Sequence, residues 1–204
     1  MALTTMGMTG TVDQVGDAQR WAIMGPRWRT AGDNDLRPTV STTTNLTVNI
    51  AAGTGMACGV FGTQTPATTI TLAANSSGSV RIDALVMEFT WGNPGAVVFK
   101  SVTGASPSTP PVLTWTPGIK YQGLIGYMMV QNGVGLLGAA DLYDMRVFGG
   151  IGGEFGISSN PSGNADVAAV LQKYIDLPVN SVIRFSENGN KFRYAGYGIA
   201  YSPF

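Results

Sequence analysis

The sequence contains no histidine and one cysteine, Cys58, and these two shortages remove most common catalytic machinery. Without histidine, neither a Ser-His-Asp triad nor a Cys-His pair can form, and a zinc site built from cysteine and histidine is excluded. A lone cysteine also excludes a disulfide within the chain. Because Cys58 falls in a strand-like segment, Met56 to Phe61, we expect it to be a small buried residue. No glycine-rich stretch matches a phosphate-binding motif. The sequence therefore predicts no metal site and no cofactor.

Charge is scarce as well. Only 12% of the residues are charged, and 12 basic residues balance 12 acidic ones. Nucleic-acid binding needs clustered positive charge to neutralise phosphates, and the single basic cluster is Arg27 and Arg29 around Trp28. We therefore expect no nucleic-acid partner.

The chain has no apolar run of about 18 residues, the length that a membrane-spanning helix needs. Its first residues, MALTTMGMTG, lack the basic and apolar regions of a signal peptide. We expect no membrane insertion, and assembly in the cytoplasm of the producing cell.

Carboxylates are the remaining candidates for catalysis. A glycosidase needs two of them facing each other across a cleft, and the chain has three glutamates, Glu88, Glu154 and Glu187, in separate segments. Asp141 and Asp144 are three residues apart, a spacing that is common in turns. A depolymerase using Glu88, Asp141 and Asp144 is an alternative, but the dispersed carboxylates favour a protein that is not an enzyme.

What the chain does have is a succession of short strands in residues 39–148. Leu46 to Ile50 alternates between apolar and polar residues, the pattern of a half-buried strand. Arg81 to Phe89 is apolar on both faces, which predicts a central strand. Asn93-Pro94-Gly95 is a turn signal, and Ala96 to Val102 is the predicted hairpin partner. Many short strands with frequent turns predict an antiparallel β-sandwich over residues 39–148.

A different organisation is predicted before this domain. In residues 1–38, the capping pattern of Thr11 and Gln14 predicts a short helix, which Gly25-Pro26 ends. An extended arm, Arg27 to Pro38, follows it.

Beyond the domain, residues 149–163 are rich in glycine and predict a linker. Residues 164–204 predict a small α+β unit with one helix and one hairpin. The helix begins near Asn164 and carries an apolar stripe at helical spacing, Val167, Val170, Leu171, Tyr174 and Ile175. Asn188-Gly189 favours a tight turn between the strands Val182–Phe185 and Lys191–Tyr194. The chain as a whole is predicted to be mainly β.

Aromatic residues are the candidates for contacts with partners, because large rings anchor interfaces and stack on sugars. Trp21 and Trp28, with Arg29, lie outside the predicted sandwich, so we expect them at an interface between subunits. The candidate surface aromatics are Trp91, Tyr194, Tyr197 and Tyr201.

The order of sequence blocks resembles a known family. IAAGTGMACGVFG is followed by TTITLAA, VRIDALVMEF, VVFKSVTG, ASPSTPPVL, LIGYMMVQNG and AADLYDMRVF. This order resembles the β-sandwich module of tailed-bacteriophage minor tail proteins of the baseplate and tail-fibre type, over roughly residues 10–148. The most specific blocks are RID, SPSTPP and DLYDMRVF.

The resemblance implies a structural virion protein of the phage tail without enzyme activity or cofactor. It implies self-association, with a homotrimer favoured, and docking to other tail or baseplate proteins at the tail tip, baseplate or a fibre adaptor. The alternative function is a carbohydrate-binding module that contacts a host surface glycan through the exposed aromatics.

Overall fold

The computed structural model describes residues 28–92, 95–105 and 110–149, together with four later strands at residues 154–157, 182–185, 191–194 and 199–200. This part of the chain is mainly β, as the sequence predicts. It contains no α-helix, and its one helical element is a 3-10 turn at Ala139–Asp141.

The strands in chain order are β1 (Trp28–Thr30), β2 (Pro38–Val40), β3 (Thr47–Ile50), β4 (Gly53–Ala57), β5 (Val60–Gln64), β6 (Thr68–Thr71), β7 (Arg81–Thr90), β8 (Ala96–Val102), β9 (Trp115–Thr116), β10 (Lys120–Val130), β11 (Leu142–Asp144), β12 (Val147–Gly149), β13 (Glu154–Ile157), β14 (Val182–Phe185), β15 (Lys191–Tyr194) and β16 (Ile199–Ala200).

These strands form three sheets. The eight-stranded sheet has the order β16-β15-β14-β13-β12-β1-β4-β5, and the three-stranded sheet has the order β2-β3-β6. The five-stranded sheet runs β11-β10-β7-β8, with β9 pairing to β10 beside β11. Pairing is antiparallel except between β1 and β12 and between β13 and β14.

The central strand predicted at Arg81–Phe89 is confirmed as β7, which lies between β10 and β8. Its residues from Ile82 to Phe89 are all buried. The predicted hairpin partner is also confirmed, because Thr90 pairs with Ala96 and Ala84 with Val102. Because Arg81–Phe89 carries apolar residues on both faces, the sequence correctly predicted a strand that is covered on both sides.

Each face of β7 belongs to a different apolar cluster. Leu85, Met87 and Phe89 point into the main core. Ile82, Ala84 and Val86 point the other way, into a second cluster completed by residues of β10 and β11, namely Leu124, Tyr127 and Tyr143.

Trp28 joins the eight-stranded sheet to the five-stranded sheet. Its side chain is 4% exposed and lies in the main core. The indole Nε1 donates a hydrogen bond to the carbonyl oxygen of Leu124 on β10, at 2.7 Å. The ring occupies the space that a side chain would need at Gly55 on β4 and Gly123 on β10.

This placement corrects two sequence predictions. The start of the expected arm, Trp28 to Thr30, is a strand between β12 and β4. Trp28 fills the core of its own chain and does not lie on the surface that a contact with another subunit needs. The sequence placed it outside the domain because β1 is three residues long and shows no alternation that can be read.

Arg146 holds the loop between β1 and β2. The side chain is fully buried, and its Nη1 donates to the carbonyl oxygens of Asp33 and Asp35 at 2.7 and 2.6 Å. Its Nη2 and Nε bind the Asp144 carboxylate at 2.6 and 2.9 Å. The Gly- and Asp-rich loop is therefore fixed to the segment between β11 and β12.

Cys58 is buried, as predicted, but it is a turn residue and not part of a strand. Cys58 and Gly59 form the two-residue connection between β4 and β5, with φ values of 48° and 82°. Two consecutive positive φ angles are the geometry of a type I′ hairpin turn. The sequence hides this turn because cysteine is an unusual residue in the left-handed region.

The eight-stranded sheet continues through the stretch predicted to be a linker. β13 lies within residues 149–163 and pairs with β12 on one side and β14 on the other. The predicted pairing of Val182–Phe185 with Lys191–Tyr194 is confirmed. The helix predicted between Thr11 and Gly25-Pro26 and the helix predicted to begin near Asn164 lie outside the described residues.

We predict that Gly123→Ala lowers the free energy of unfolding by about 1–3 kcal/mol, the usual cost of overfilling a core. The added methyl group would overlap the Trp28 ring, which is held by its hydrogen bond to Leu124. Urea denaturation followed by tryptophan fluorescence measures the change. Gly135→Ala is the matched control, because nothing lies within 4 Å of a side chain there. Equal effects of the two substitutions would contradict the proposed fit of the ring.

Candidate functional site

The most concentrated group of charges lies on the face of β7 and β10 that is turned away from the main core. Glu88 is almost fully buried, and its Oε2 lies 2.7 Å from Lys100 Nζ and accepts a hydrogen bond from Gln122 Nε2 at 2.7 Å. Lys120 Nζ lies 3.8 Å from Oε1. Both lysine side chains are partly exposed.

The environment of Glu88 sets its protonation state. Burial alone would raise the pKa of this carboxyl group. Hydrogen bonds from Lys100 and Gln122, with the charges of Lys100 and Lys120, outweigh burial and hold the pKa below its ordinary value. Glu88 is therefore ionised and links neighbouring strands. Its environment is the opposite of the one that a general acid needs.

The other carboxylates considered for catalysis are also engaged. Asp144 binds Arg146, and Asp141 Oδ1 accepts a hydrogen bond from Gln131 Nε2 at 3.0 Å. Glu88 lies opposite Gln122 on β10, whereas Asp144 lies opposite Gly126 further along that strand. Within the described ranges, no three histidine, cysteine, aspartate or glutamate side chains are grouped as metal ligands.

The candidate aromatic residues do not come together as one described surface. Trp91 is half-buried beside Phe89, with ring centroids 6.4 Å apart, and no hydrogen-bond partner for its buried Nε1 is found in the described part of the chain. Tyr194 is the last residue of β15. Trp21, Tyr197 and Tyr201 lie outside the described residues.

Arg29 lies in a cross-strand row on the face of the eight-stranded sheet opposite Trp28. In register, Arg29 pairs with Met56, and Met56 pairs with Phe61. The three residues line an open groove of about 190 Å³, together with Thr30, Ala31, Thr54 and Gly55.

The last strands of two adjoining sheets each carry exposed apolar side chains. Phe61 on β5 is 68% exposed, and Val97 and Val98 on β8 are 39% and 46% exposed. The two strands adjoin, because a Cβ at Gly62 would lie 3.0 Å from Val97 Cγ1. β5 and β8 are each terminal in their sheet within the described part of the chain. We call Phe61, Val97 and Val98 the apolar edge.

Sequence reasoning missed the apolar edge. Val97 and Val98 are consecutive apolar residues in a hairpin partner, a signal that both faces of the strand carry apolar side chains. The sequence does not reveal that β8 ends a sheet, because that depends on strand order.

No helix in the described ranges is long and apolar enough to cross a bilayer. Comparison of the chain with protein-family models, with curated proteins and with solved structures finds no match. Function must therefore be argued from the residues themselves.

We predict that Glu88→Gln weakens the acid dependence of stability. Because the folded-state pKa of Glu88 is lowered, its ionised form stabilises the fold above its unfolded-state pKa of about 4.3, and this contribution is lost as pH falls through the folded-state value. Urea denaturation measures the free energy of unfolding from pH 6 down through the acid range of roughly pH 2–5. This free energy should decline less steeply with falling pH for Glu88→Gln than for the native chain. Lys100→Met should shift the acid loss to higher pH. Parallel pH profiles for all three chains would contradict this role.

Proposed function

We propose that this chain is a structural subunit of a bacteriophage tail, at the tail tip, baseplate or a fibre adaptor. It self-associates, with a trimer favoured, and docks to other tail proteins. The observation that carries the proposal is the apolar edge, the exposed apolar side chains carried by the terminal strands of two adjoining sheets.

The sheet arrangement forms part of the proposal. The eight-stranded and five-stranded sheets are the two layers of a β-sandwich, with Trp28 and Met87 between them. Support comes from the glycines on the facing strands. Gly55 and Gly62 leave room for Met87, and Gly123 leaves room for Trp28. Such a closely packed pair of layers would serve as a rigid spacer between docking surfaces.

The apolar edge supports self-association through the behaviour of sheet ends. A terminal strand offers unpaired N–H and C=O groups, which proteins commonly protect with charged side chains. The single charged residue of β8 is Lys100, and its ammonium group is directed to Glu88 on the neighbouring strand. Apolar side chains therefore stand next to open backbone groups, a combination typical of interfaces.

The sequence blocks behind the family resemblance also supply the buried polar joints of the fold. In the RID block, the Asp83 carboxylate accepts hydrogen bonds from Arg81 Nε and Nη2, each at 2.7 Å, and from Gly104 N at 2.9 Å. In the DLYDMRVF block, Arg146 binds Asp144 and the loop carbonyls. Charged residues used in this way favour a scaffold role over catalysis.

The alternative, carbohydrate binding through Trp91 and the C-terminal tyrosines, has less support. Platforms for sugar rings need an accessible aromatic face and a polar group within reach. Trp91 packs against the core, and its Nε1 is buried. The structural role is therefore the function that the described residues favour.

We predict that the full chain is oligomeric in sedimentation velocity and that Val97→Lys/Val98→Lys shifts it to the monomer. Two ammonium groups at the apolar edge would have to be desolvated in the interface, which is unfavourable. Val112→Lys is the control, because Val112 is 91% exposed and lies outside the strands. The control should sediment like the native chain. A native chain that stays monomeric at high concentration would contradict self-association.

The tail assignment has its own test. Antibodies against the chain should label the tail end of purified particles of the phage whose genome encodes it. Mass spectrometry should also find peptides of the chain in those particles. Absence of the chain from particles, with its presence in the cleared lysate, would contradict the assignment whatever the oligomeric state.

A further inference from the structure

β5 is the last strand of the eight-stranded sheet in the part of the chain that the structure describes, and it pairs there with β4 alone. Phe61 and Thr63 are exposed on this strand. A strand with one neighbour leaves half of its backbone N–H and C=O groups facing outward. The residues that carry those groups decide what the strand can bind.

The turn between β4 and β5 identifies these residues. In a two-residue hairpin, the pair that flanks the turn exchanges both backbone hydrogen bonds, and bonded and non-bonded pairs then alternate along the strands. Ala57 and Val60 flank the turn at Cys58-Gly59. Every second residue from Val60 onward therefore points its backbone groups towards β4. The residues between them, Phe61 and Thr63, point theirs to the open edge.

A hydrogen bond on the far side of β4 agrees with this alternation. Ala31 N donates to Thr54 O at 3.0 Å, so the backbone groups of Thr54 point towards β1. Thr54 is the register partner of Thr63. This pair therefore exchanges no backbone hydrogen bond, as the alternation from the turn requires. The outward groups of β5 are thus the N–H and C=O of Phe61 and of Thr63.

β5 lacks the usual protection of an open edge. Proteins guard such strands with lysine, proline or a bulge. The strand reads Val-Phe-Gly-Thr-Gln and contains neither a charge nor a proline. Its register pairs with β4 follow one another without a shift, so no bulge bends it away. A regular and uncharged edge favours pairing with a further strand.

The same edge is complementary to itself. When two copies of β5 run antiparallel about a two-fold axis at Gly62, Phe61 of each copy lies opposite Thr63 of the other. Both are outward residues, so each such pair exchanges both of its N–H···O bonds. The two Gly62 residues face each other across the axis as a non-bonded pair, in which Cα atoms approach to about 4.5 Å. Glycine has no side chain to obstruct that approach.

We propose that two copies of this chain pair through β5, antiparallel and centred on Gly62, so that their eight-stranded sheets join edge to edge. Every outward backbone group of Phe61 and Thr63 gains a partner in this arrangement. A pairing centred on Phe61 or on Thr63 would instead place one outward residue opposite Gly59 or Thr65, which lie outside the strand.

Side chains on both faces of β5 favour a second copy as the occupant. Phe61 is 68% exposed and shares a face with Met56, and the partner's Thr63 would lie beside it. On the other face, a Cβ at Gly62 would lie 3.0 Å from Val97 Cγ1, so the half-exposed Val97 lies close to the axis. The pairing therefore covers one member of the apolar edge on each face.

This inference rests on the self-association proposed above and gives it a geometry. A two-fold contact by itself joins two copies. A trimer needs a different, three-fold contact, and the two contacts together would join two trimers. The number of copies in solution therefore separates the β5 pairing from self-association in general.

Sedimentation velocity of the full chain gives the first test. The pairing requires an even number of copies in the assembly. An assembly of three copies would overturn the pairing and leave self-association standing. A chain that stays a single copy at high concentration would overturn both.

Thr63→Pro tests the backbone contact directly. Proline removes the outward N–H of this residue without a loss from the ladder with β4. Half of the hydrogen bonds between the copies disappear, so the dissociation constant of this contact should rise by about tenfold or more. Thr63→Val is the control, because it keeps the N–H and removes only the hydroxyl that lies 3.1 Å from Thr54 Oγ1. It should associate like the native chain, and equal association of Thr63→Pro would overturn the pairing.

Disulfide formation tests the register and does not depend on the proline variant. Chains carrying Phe61→Cys and chains carrying Thr63→Cys are mixed under reducing conditions, allowed to exchange and then oxidised. Cys58 is buried and stays in place. In the proposed register, the Cα atoms of residues 61 and 63 of opposite copies lie about 5.5 Å apart, within the range of a disulfide. Identical positions lie diagonally, about 7–8 Å apart, which is too far.

The mixture should therefore give a disulfide between residue 61 of one copy and residue 63 of the other, identified by peptide mass. Each variant alone should give far less product. A product dominated by links between identical positions would overturn the proposed register. The absence of any product between copies would overturn the pairing itself.

Discussion

The fold depends on one side chain that is part of one sheet and is bonded to another. Trp28 is a residue of the eight-stranded sheet, but its indole N–H is bonded to a carbonyl of β10 and its ring lies against glycines of both sheets. The ring fixes the spacing of the sheets, and the hydrogen bond fixes their relative position along β10. Phe89 packs edge-on against the same ring, with centroids 5.9 Å apart. Any larger residue at Gly55 or Gly123 would compete for this space.

The buried charges have the same structural character. Asp83, Glu88 and Arg146 are all buried, and each is paired with an opposite charge and with further hydrogen bonds. Burying a charge without such partners costs several kcal/mol, so these pairs fix which loops and strands can meet. Only 12% of the residues are charged. Because these three buried charges hold the fold together, none of them is left unpaired for catalysis.

Sequence reasoning recovered what is encoded locally. The length and two-sided apolarity of Arg81–Phe89 identified the central strand, and turn residues identified the partner at Ala96–Val102 and the pairing around Asn188-Gly189. It failed where the determinant is non-local or where the local residue is atypical. The role of Trp28 requires glycines at residues 55 and 123, and the apolar edge depends on strand order, so no local pattern reveals either. The turn at Cys58 is local, but cysteine is an unusual residue for it.

The later strands of the eight-stranded sheet join the first core through one short pairing. β1 and β12 form this seam: they pair in parallel, with Thr30 opposite Phe148. Three-residue strands pair weakly by themselves. Trp28 begins β1, and Arg146 directly precedes β12, so the two most constrained side chains of the fold lie on either side of this seam. The position of the later strands therefore depends on the same contacts that hold the first core together.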